Sequence, residues 1–312
     1  MVAEFTANRC KFKNMAEKNI KKQTLTDKII CQYNNFRFRI TEPLKLKLAR
    51  ARSEKFYYPN DKEPLISVYT PTYNRGNLLM ERALPSVLSQ TYKNFEYIIM
   101  GDCCTDNTEE LVLGVNDPRI RFFNIPKRGY RYPPTAENHW LAGPVVAANQ
   151  ALKMVKGKWI ARIDDDDTWT PDHLEELINF AQAGRYEFVS SFYTELNRGI
   201  RREVDGEYAQ GPYYNYKHEP VKGFNPKIGG TLTWLYRSYL KLFKYNINCW
   251  RKDWNRVNDI DISIRMFQAG VKMGFLEKSL ALYQPRPGEK TIGLAAYEES
   301  ADKKEEHYKF KD

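Results

Sequence analysis

The sequence predicts an α/β protein with a mostly parallel, Rossmann-like sheet that is flanked by helices. Short apolar, β-branched runs alternate with segments of helical periodicity between residues 63 and 195. This alternation is typical of chains that cross over from one parallel strand to the next. The 312 residues, of which 42% are hydrophobic and 28% charged, have the composition of a globular protein and exclude a disordered or fibrous chain.

The strands are predicted from apolar runs that end at helix- or strand-breaking residues. Leu65–Thr70 is followed at once by Pro71, which cannot donate a hydrogen bond within a sheet. The other runs are built around large apolar residues, as strands buried within a sheet are. The predicted strands are residues 65–70, 95–100, 119–124, 158–163 and 187–193.

Helices are predicted between these strands. Pro144 and Pro171 each suit the first turn of a helix, where a missing N–H group is not needed. Asp106 is expected to cap the helix that follows the second strand. Apolar residues at helical spacing predict two further helices, over about 77–90 and about 259–270.

Polar residues follow three of the predicted strands. Because ligands bind outside the carboxyl ends of parallel strands, residues 70–75, 101–106 and 164–167 are expected to be neighbours in one crevice. Tyr73 can stack on a base there, and Asp102 can accept hydrogen bonds from a base or a ribose. The alternatives are packing under a loop for Tyr73 and a turn or cap for Asp102.

The run Asp164–Asp167 is the strongest chemical feature of the sequence. Neighbouring carboxylates at about 4 Å repel by about 4 kcal/mol at an effective dielectric constant of 20. Mg²⁺ or Mn²⁺ would offset this repulsion and hold a diphosphate. Since alternate residues of an extended segment point the same way, Asp164 and Asp166 are expected to face one cation. The alternative is a solvated acidic turn that caps the next helix.

The net charge of +10 is concentrated at the N-terminus. Residues 1–60 contain 14 Lys and Arg against 5 Asp and Glu, whereas the remaining 252 residues contain 35 against 34. A nearly neutral body does not favour nucleic acid as a partner. Residues 1–62 are expected to form a partly helical extension that packs on the body or on a second subunit. The alternative is a basic arm that contacts an anionic membrane surface, another protein or a nucleic acid.

The sequence offers few signs of export or membrane insertion. It has no apolar run of about 18 residues and no signal-peptide stretch. Its five Cys residues form neither a disulfide framework nor a metal motif. We therefore expect a cytoplasmic protein, soluble or peripherally membrane-associated.

Six motifs occur in order between residues 64 and 195. They are Val68–Arg75, Ser86–Tyr92, Phe95–Asp102 with Thr105–Thr108, Asp117–Arg121, Asn149–Leu152 and Gly157–Pro171. In order and spacing these motifs resemble family 2 glycosyltransferases of the GT-A fold. The resemblance implies inverting transfer of a sugar from a nucleotide-sugar, most often a UDP-sugar, with bound Mn²⁺ or Mg²⁺.

The resemblance also implies a donor site in the crevice. Thr70, Pro71 and Tyr73 would line the base pocket, Asp102 would contact the base, and Asp164 would contact the ribose. The complete set of residues expected to bind the donor is Thr70, Pro71, Tyr73, Arg75, Asp102, Asn149, Asp164, Asp165 and Arg286.

The reacting groups are implied in the same way. Asp166 would be the metal ligand of the Asp-any-Asp motif, assisted by Asp164 or Asp167. In the acceptor lobe, Asp259 matches the Asp of the family's Glu-Asp pair, which is the general base, and Asn258 replaces the Glu. The alternative role for Asp259 is a helix N-cap, and Asp261 and Asp253 are the alternates for the general base.

Three further positions depart from the family pattern. Arg286 stands where many members have a His, and Arg286 with Lys290 can neutralise a leaving nucleotide as phosphate ligands. Cys103 and Cys104 replace the Gly-Ser that follows the paired Asp residues, and they are expected to be packing or turn residues.

The resemblance divides the chain into four parts. These are the basic extension 1–62, the nucleotide-sugar-binding half 63–195, the acceptor-binding lobe 196–295 and the charged tail 296–312. In the acceptor lobe, Trp234, Trp250 and Trp254 are expected to form its core, with a sugar-stacking surface as the alternative. The acceptor would be a glycan or another molecule that bears a hydroxyl group.

Two other functions fit part of the pattern. A sugar-nucleotide nucleotidyltransferase also uses carboxylates and a metal, but it normally has a Gly-rich phosphate loop, which residues 70–77 do not provide. A binding module that holds a nucleotide or glycan without turnover is the second alternative, because Asn258 and Arg286 both depart from the family pattern.

Overall fold

One mixed sheet of nine strands carries nine α-helices in the residues that the computed structural model describes, 22–57, 61–204, 227–253 and 255–299. Trp254 lies outside these residues. In chain order the elements are α1 (Leu25–Ser53), β1 (Ile66–Thr72), α2 (Gly76–Glu81), α3 (Ala83–Leu88), β2 (Phe95–Gly101), α4 (Thr108–Gly114), β3 (Ile120–Asn124), α5 (Ala136–Ala142), α6 (Val145–Met154), β4 (Trp159–Arg162), β5 (Thr168–Trp169), α7 (His173–Ala183), β6 (Phe188–Asn197), β7 (Ile200–Val204), β8 (Leu235–Arg237), α8 (Asn258–Gln268), β9 (Met273–Tyr283) and α9 (Gly293–Glu299).

The sheet has the strand order β3-β2-β1-β4-β8-β6-β9-β5, and β7 pairs with β6. Strands β1 to β4 are parallel to one another. The order reverses between β1 and β4, which is the switch point where open α/β sheets bind ligands. All five predicted strands are confirmed, as β1, β2, β3, β4 and β6, and so is the predicted α/β class.

Alternate residues of the central strands face two apolar cores. Tyr69 of β1 packs with α6 on one face, while Val68 packs with α7 on the other face. Both side chains are fully buried. This burial explains why the strand sequences lack the polar alternation of strands with one wet face.

The helix predicted over 77–90 is two short helices, α2 and α3. Pro85 cannot donate a backbone hydrogen bond, and its ring would clash with the carbonyl group four residues earlier. The backbone breaks at Arg82, with φ −121° and ψ −79°. Its guanidinium group donates hydrogen bonds to the carbonyl groups of Asp166, at 2.9 Å, and Pro285, at 2.8 Å.

The predicted boundaries at 195 and 295 do not separate units of the fold. Strand β6 runs through residue 195, and β8 and β9 from the predicted acceptor lobe join the same sheet. Helix α9 crosses residue 295 and packs on α5. The site is therefore built by one continuous sheet and the helices around it.

Helix α1 attaches the N-terminal extension to this body by three ion pairs. Asp27 pairs with Arg251 at 2.8 Å, Arg50 pairs with Glu187, and the buried Glu42 pairs with the buried Arg265. Leu46 is 1% exposed and joins the core beside α6. No helix in the described ranges has both the length and the apolar composition needed to span a bilayer.

His173 fixes the segment that follows the Asp run. Its ring stacks on Trp169 with 4.0 Å between centroids, and Nδ1 donates to the Leu280 carbonyl at 2.9 Å. Nε2 is buried without a hydrogen-bond partner among the described residues. Burial therefore lowers the pKa of His173 to about 3.

We predict that His173 makes the protein acid-sensitive. A lowered pKa stabilises the fold above pH 6.5, and this contribution is lost as the pH falls from 6.5 toward 3. At pH 5 the loss is about 2 kcal/mol. Urea unfolding of the wild type and of His173→Asn should be measured at pH 8 and at pH 5. The free energy of unfolding should fall between these pH values by about 2 kcal/mol less in the variant than in the wild type. An equal drop in both proteins would contradict the prediction.

Candidate functional site

The Asp run forms a tight turn at the carboxyl end of β4. The Asp167 N–H donates to the Asp164 carbonyl at 3.2 Å, so the extended segment predicted for these residues is wrong. Asp165 and Asp167 are 3% and 4% exposed, so only Asp164 and Asp166 have the access to water that the alternative of a solvated turn requires. Within the turn, Asp164 pairs with Arg162, whereas Asp165 and Asp166 both contact Arg75.

Asp164 is joined to the start of α8 through Arg162. The buried Arg162 guanidinium donates to both Asp164 oxygens, at 2.9 and 3.2 Å, and lies 3.5 Å from the Asn258 amide oxygen. Asn258 in turn donates to the Leu141 carbonyl at 2.9 Å. Asn258, which replaces a Glu of the family, therefore connects the buried Arg162 guanidinium to the Leu141 carbonyl without carrying a charge.

Asp165 is held below the surface by β1 and the loop that follows it. The Thr72 hydroxyl donates to one carboxylate oxygen at 2.8 Å, and Arg75 donates to the other at 3.0 Å. Burial raises the pKa of Asp165, and the charge of Asp166 adds to this effect. Asp165 therefore anchors Arg75, whereas its predicted contact with a donor stays a prediction.

Asp166 is the more exposed and less tightly held of the two carboxylates beside Arg75. Its side chain is 18% exposed, and Arg75 approaches it only to 3.5 Å. Asp167 is buried, and its Oδ1 has no hydrogen-bond partner among the described residues. Burial, together with the charges of its three neighbours, raises the pKa of Asp167 well above its usual value.

These carboxylates fit a cation that also binds the donor. The described residues contain no group of three His, Cys, Asp or Glu side chains that could hold a metal ion by themselves. Mg²⁺ is commonly held by one or two carboxylates plus substrate phosphates and water. The loosely held Asp166 and the unpartnered oxygen of Asp167 suit such a shared site, because a cation would relieve the repulsion within the turn.

Asp102 is buried at the carboxyl end of β2 and is bound by two arginines. Arg131 donates to both its oxygens at 2.6 Å, and Arg128 donates to Oδ2 at 3.1 Å. The Arg128 guanidinium also lies 3.7 Å from the centre of the Tyr73 ring. Tyr73, Arg128 and Asp102 therefore form one stacked, charged pocket wall.

Three predicted donor ligands are engaged within the fold. The Thr70 hydroxyl is fully buried between the Tyr97 hydroxyl and the Ile163 carbonyl, and its predicted base contact stays a prediction. Pro71 is likewise buried within β1. Both ends of the Asn149 amide bind the Tyr245 backbone, and its donor contact stays a prediction.

Asp259 lies in the first turn of α8 and is half-buried. The N-cap is Val257, so Asp259 does not fill the N-cap role that was its alternative. Its Oδ2 is 3.4 Å from the Thr231 hydroxyl, and its Oδ1 accepts from the Ile260 N–H at 2.8 Å. Burial raises the pKa of Asp259, and the nearby Arg162 charge only partly offsets that rise.

Arg286 and α9 close the side of the site that faces Arg75. Arg286 pairs with Glu289 at 2.8 Å, and its guanidinium lies 4.5 Å from the centre of the Tyr297 ring. The Tyr297 hydroxyl is 3.3 Å from Arg75. Arg286 and Lys290 both line a cleft of about 760 Å³ between this loop and the β6–β7 turn.

The tryptophans of the predicted acceptor lobe are core residues. Trp234 is 2% exposed and Trp250 is 5% exposed, and both pack in the core beside α6. The favoured interpretation is therefore confirmed for these two residues. Cys104 is a turn residue, as expected, since its backbone N–H and carbonyl group both bind the Asn124 amide.

Sequence reasoning missed the arginines that organise these carboxylates. Arg82, Arg128 and Arg131 reach the site from segments without a distinctive pattern, and Tyr297 comes from the predicted tail. Arg162 had a usable signal, because a cation directly before four carboxylates on a buried strand needs a counter-charge.

The sequence model described as Glycosyl transferase family 2 matches residues 67–133 and 135–250, more than half of the chain. The chain therefore belongs to glycosyl transferase family 2. It is 32% identical over 209 residues to WcaA of Escherichia coli (strain K12), whose name refers to colanic acid biosynthesis. That match covers 65% of this chain and 66% of WcaA.

A second Escherichia coli relative has a more specific name. It is UDP-Glc:alpha-D-GlcNAc-diphosphoundecaprenol beta-1,3-glucosyltransferase WfaP, which is 31% identical over 153 residues. The match covers 49% of this chain and 54% of WfaP. The chain thus spans less than two thirds of the length of these curated relatives.

Two solved structures share the fold at low sequence identity. TarS 1-349 of S. aureus in complex with UDP-GlcNAc has a TM-score of 0.52 and 20% identity, over 72% of this chain and 60% of TarS. The mannosyltransferase PcManGT of Pyrobaculum calidifontis, in complex with GDP-Man and Mn²⁺, has a TM-score of 0.52 and 15% identity. This similarity covers 84% of this chain and 69% of PcManGT. These similarities confirm the predicted GT-A fold.

Proposed function

We propose that this protein transfers a sugar from a nucleotide-sugar to an acceptor hydroxyl group, with inversion at the anomeric carbon. The observation that supports this function best is the position of the Asp turn. It lies at the carboxyl edge of the sheet, where β2 also ends next to Asp102, and Arg162 links Asp164 to the start of α8, the helix that contains Asp259.

The donor would lie across the carboxyl ends of β1, β2 and β4. The Tyr73 ring and Asp102 would face the base, and Asp164 would accept a hydrogen bond from the ribose. Asp166, with Asp167 behind it, would hold Mn²⁺ or Mg²⁺, which stabilises negative charge on a leaving diphosphate when it is bound. Arg286 and Lys290, which line one cleft, would contribute positive charge near the same group.

Asp259 would accept the proton of the acceptor hydroxyl as the new glycosidic bond forms. Its raised pKa suits this role, because a more basic carboxylate removes a proton more effectively. The positive charge of Arg162, which opposes the effect of burial on the pKa of Asp259, would favour its ionised form while Arg162 also holds Asp164. A base and a leaving group on opposite sides of the anomeric carbon give inversion in a single displacement.

The relatives suggest the substrates. UDP is the favoured nucleotide, because WfaP is named for UDP-Glc. The same name supports a saccharide hydroxyl, on a lipid-linked glycan, as the acceptor class. The charged Arg128–Asp102 wall supports recognition of a nucleobase edge rather than of an apolar group.

A thermal-shift panel tests the donor site. We expect UDP to raise the melting temperature only when Mn²⁺ or Mg²⁺ is present, and more than GDP, CDP or dTDP do. Ligand at 100 times its dissociation constant stabilises the fold by about 2.7 kcal/mol, which corresponds to several degrees. No shift with any nucleotide, with or without metal, would contradict a nucleotide-sugar site at the Asp turn.

A further inference from the structure

Helix α1 has a buried inner face, which packs on the described body, and an opposite outer face that the described body leaves exposed. The inner face includes Leu46 and the ion-paired Asp27 and Glu42. The outer face consists of seven large apolar residues that are 46% to 75% exposed. They are Leu25, Ile29, Tyr33, Phe36, Ile40, Leu44 and Leu48.

The outer residues form one continuous stripe. Their spacing of three or four residues places them within about 140° of the helix circumference. Because α1 has 29 residues, it is about 43 Å long. Exposure of an apolar stripe of this length to water is unfavourable. The stripe is also larger than the apolar patches of an ordinary surface, where such residues are scattered.

Basic residues border this stripe without exposed acidic partners on the helix. The flanking cations are Lys28, Arg37, Arg39, Lys45, Lys47 and Arg52, all of which are exposed. The acidic residues of α1 are Asp27 and Glu42, and both are buried against Arg251 and Arg265 of the body. The outer face therefore presents apolar side chains within a purely positive border.

This charge pattern selects among the surfaces that could cover the stripe. A second copy of the chain would oppose one positive border with another, and the two would repel each other. A nucleic acid would satisfy the cations but leave the apolar side chains in water. An anionic bilayer satisfies both, because its headgroups attract Lys and Arg while its acyl boundary accepts Leu, Ile and Phe.

We propose that the outer face of α1 lies in the interface of an anionic lipid bilayer. The ion pairs of its inner face then hold the body in a fixed orientation on that surface. Glu42 contacts Arg265 of α8, the helix that carries Asp259, so the candidate site is tied directly to the membrane-bound element.

Vesicle co-sedimentation of the full chain tests this proposal without relying on transferase activity. We expect binding to phosphatidylcholine vesicles that contain about one third phosphatidylglycerol, weaker binding without the anionic lipid, and a decrease with added salt. The double variant Ile29→Ser/Leu44→Ser should lower the partition coefficient at least about tenfold. Leu113→Ser/Ile200→Ser, which alters two exposed apolar residues outside α1, should bind as the wild type does.

The α1 variant should retain the wild-type melting temperature, since the replaced side chains are exposed, and it should retain any nucleotide-induced shift. Loss of vesicle binding with a preserved nucleotide shift would therefore concern the membrane surface alone. Failure of the wild type to bind anionic vesicles, or equal binding by the α1 variant, would overturn the proposal. So would a dimer that the Ile29/Leu44 changes dissociate, because the stripe would then be covered by a second copy.

Discussion

Asp259→Asn is expected to lower the turnover number about 10²- to 10⁴-fold, while the dissociation constant of the donor stays within about threefold. The amide keeps the shape of the side chain but cannot accept a proton from the acceptor hydroxyl. Because the role proposed for Asp259 concerns the acceptor hydroxyl and not the donor, nucleotide affinity should survive. Steady-state kinetics and nucleotide titrations on the same preparation measure the two effects separately.

The pH dependence gives a second measure of the same group. Burial raises the pKa of Asp259. On acidification, the transfer rate should therefore begin to fall at a pH above the ordinary pKa range of an Asp side chain. The residual activity of Asp259→Asn should lack this acidic limb. Asp117→Asn, which removes a carboxylate outside the site, is the matched control. Wild-type turnover in Asp259→Asn would mean that another residue is the base.

Asp166→Asn is expected to remove the dependence on divalent metal and to lower turnover about 10²-fold or more. Asn retains the side-chain volume, and Arg75 approaches Asp166 only to 3.5 Å, so the fold should be little affected. The metal-dependent part of the thermal shift with UDP should disappear. A metal titration of the nucleotide shift, in wild type and variant, measures this loss.

Asp164→Asn separates a metal ligand from a donor contact. Arg162 already binds both oxygens of Asp164, so Asp164 is not expected to be the principal metal ligand. The variant should therefore keep a saturable response to metal, whereas loss of the proposed ribose contact should weaken nucleotide binding. If Asp166→Asn kept the full metal response and Asp164→Asn lost it, the assignment of Asp166 as the principal ligand would be wrong.

Local patterns predicted β1, β2 and β4 because these strands are buried on both faces. Runs such as Phe95–Gly101 contain little besides large apolar residues, and burial of this kind is visible in the sequence. Strand β8 has only three residues, and its partners β4 and β6 lie far away in the chain. No periodicity develops over three residues, so a single continuous sheet was not predictable.

The same limit applied to the site. The sequence identifies the carboxylates, because Asp102 and the Asp run follow strands directly. It does not identify their partners, since a guanidinium at the end of a long side chain reaches any element within several ångströms. Arg131 binds Asp102 from 29 residues away, and Arg75 binds Asp165 from 90 residues away. Contacts of this kind depend on the folded path of the chain.

The ion pairs of α1 also constrain how this sequence can change over generations. Two of these ion pairs join a carboxylate of the extension to an arginine of the body, and the carboxylates are nearly buried. The pairs are Glu42 with Arg265 and Asp27 with Arg251. Loss of one partner leaves a charge with little access to water, which is far more costly than replacing both partners together. Substitutions at these positions should therefore be inherited in pairs. An ancestor could not have exchanged its N-terminal segment for an unrelated one without compensating changes on α8.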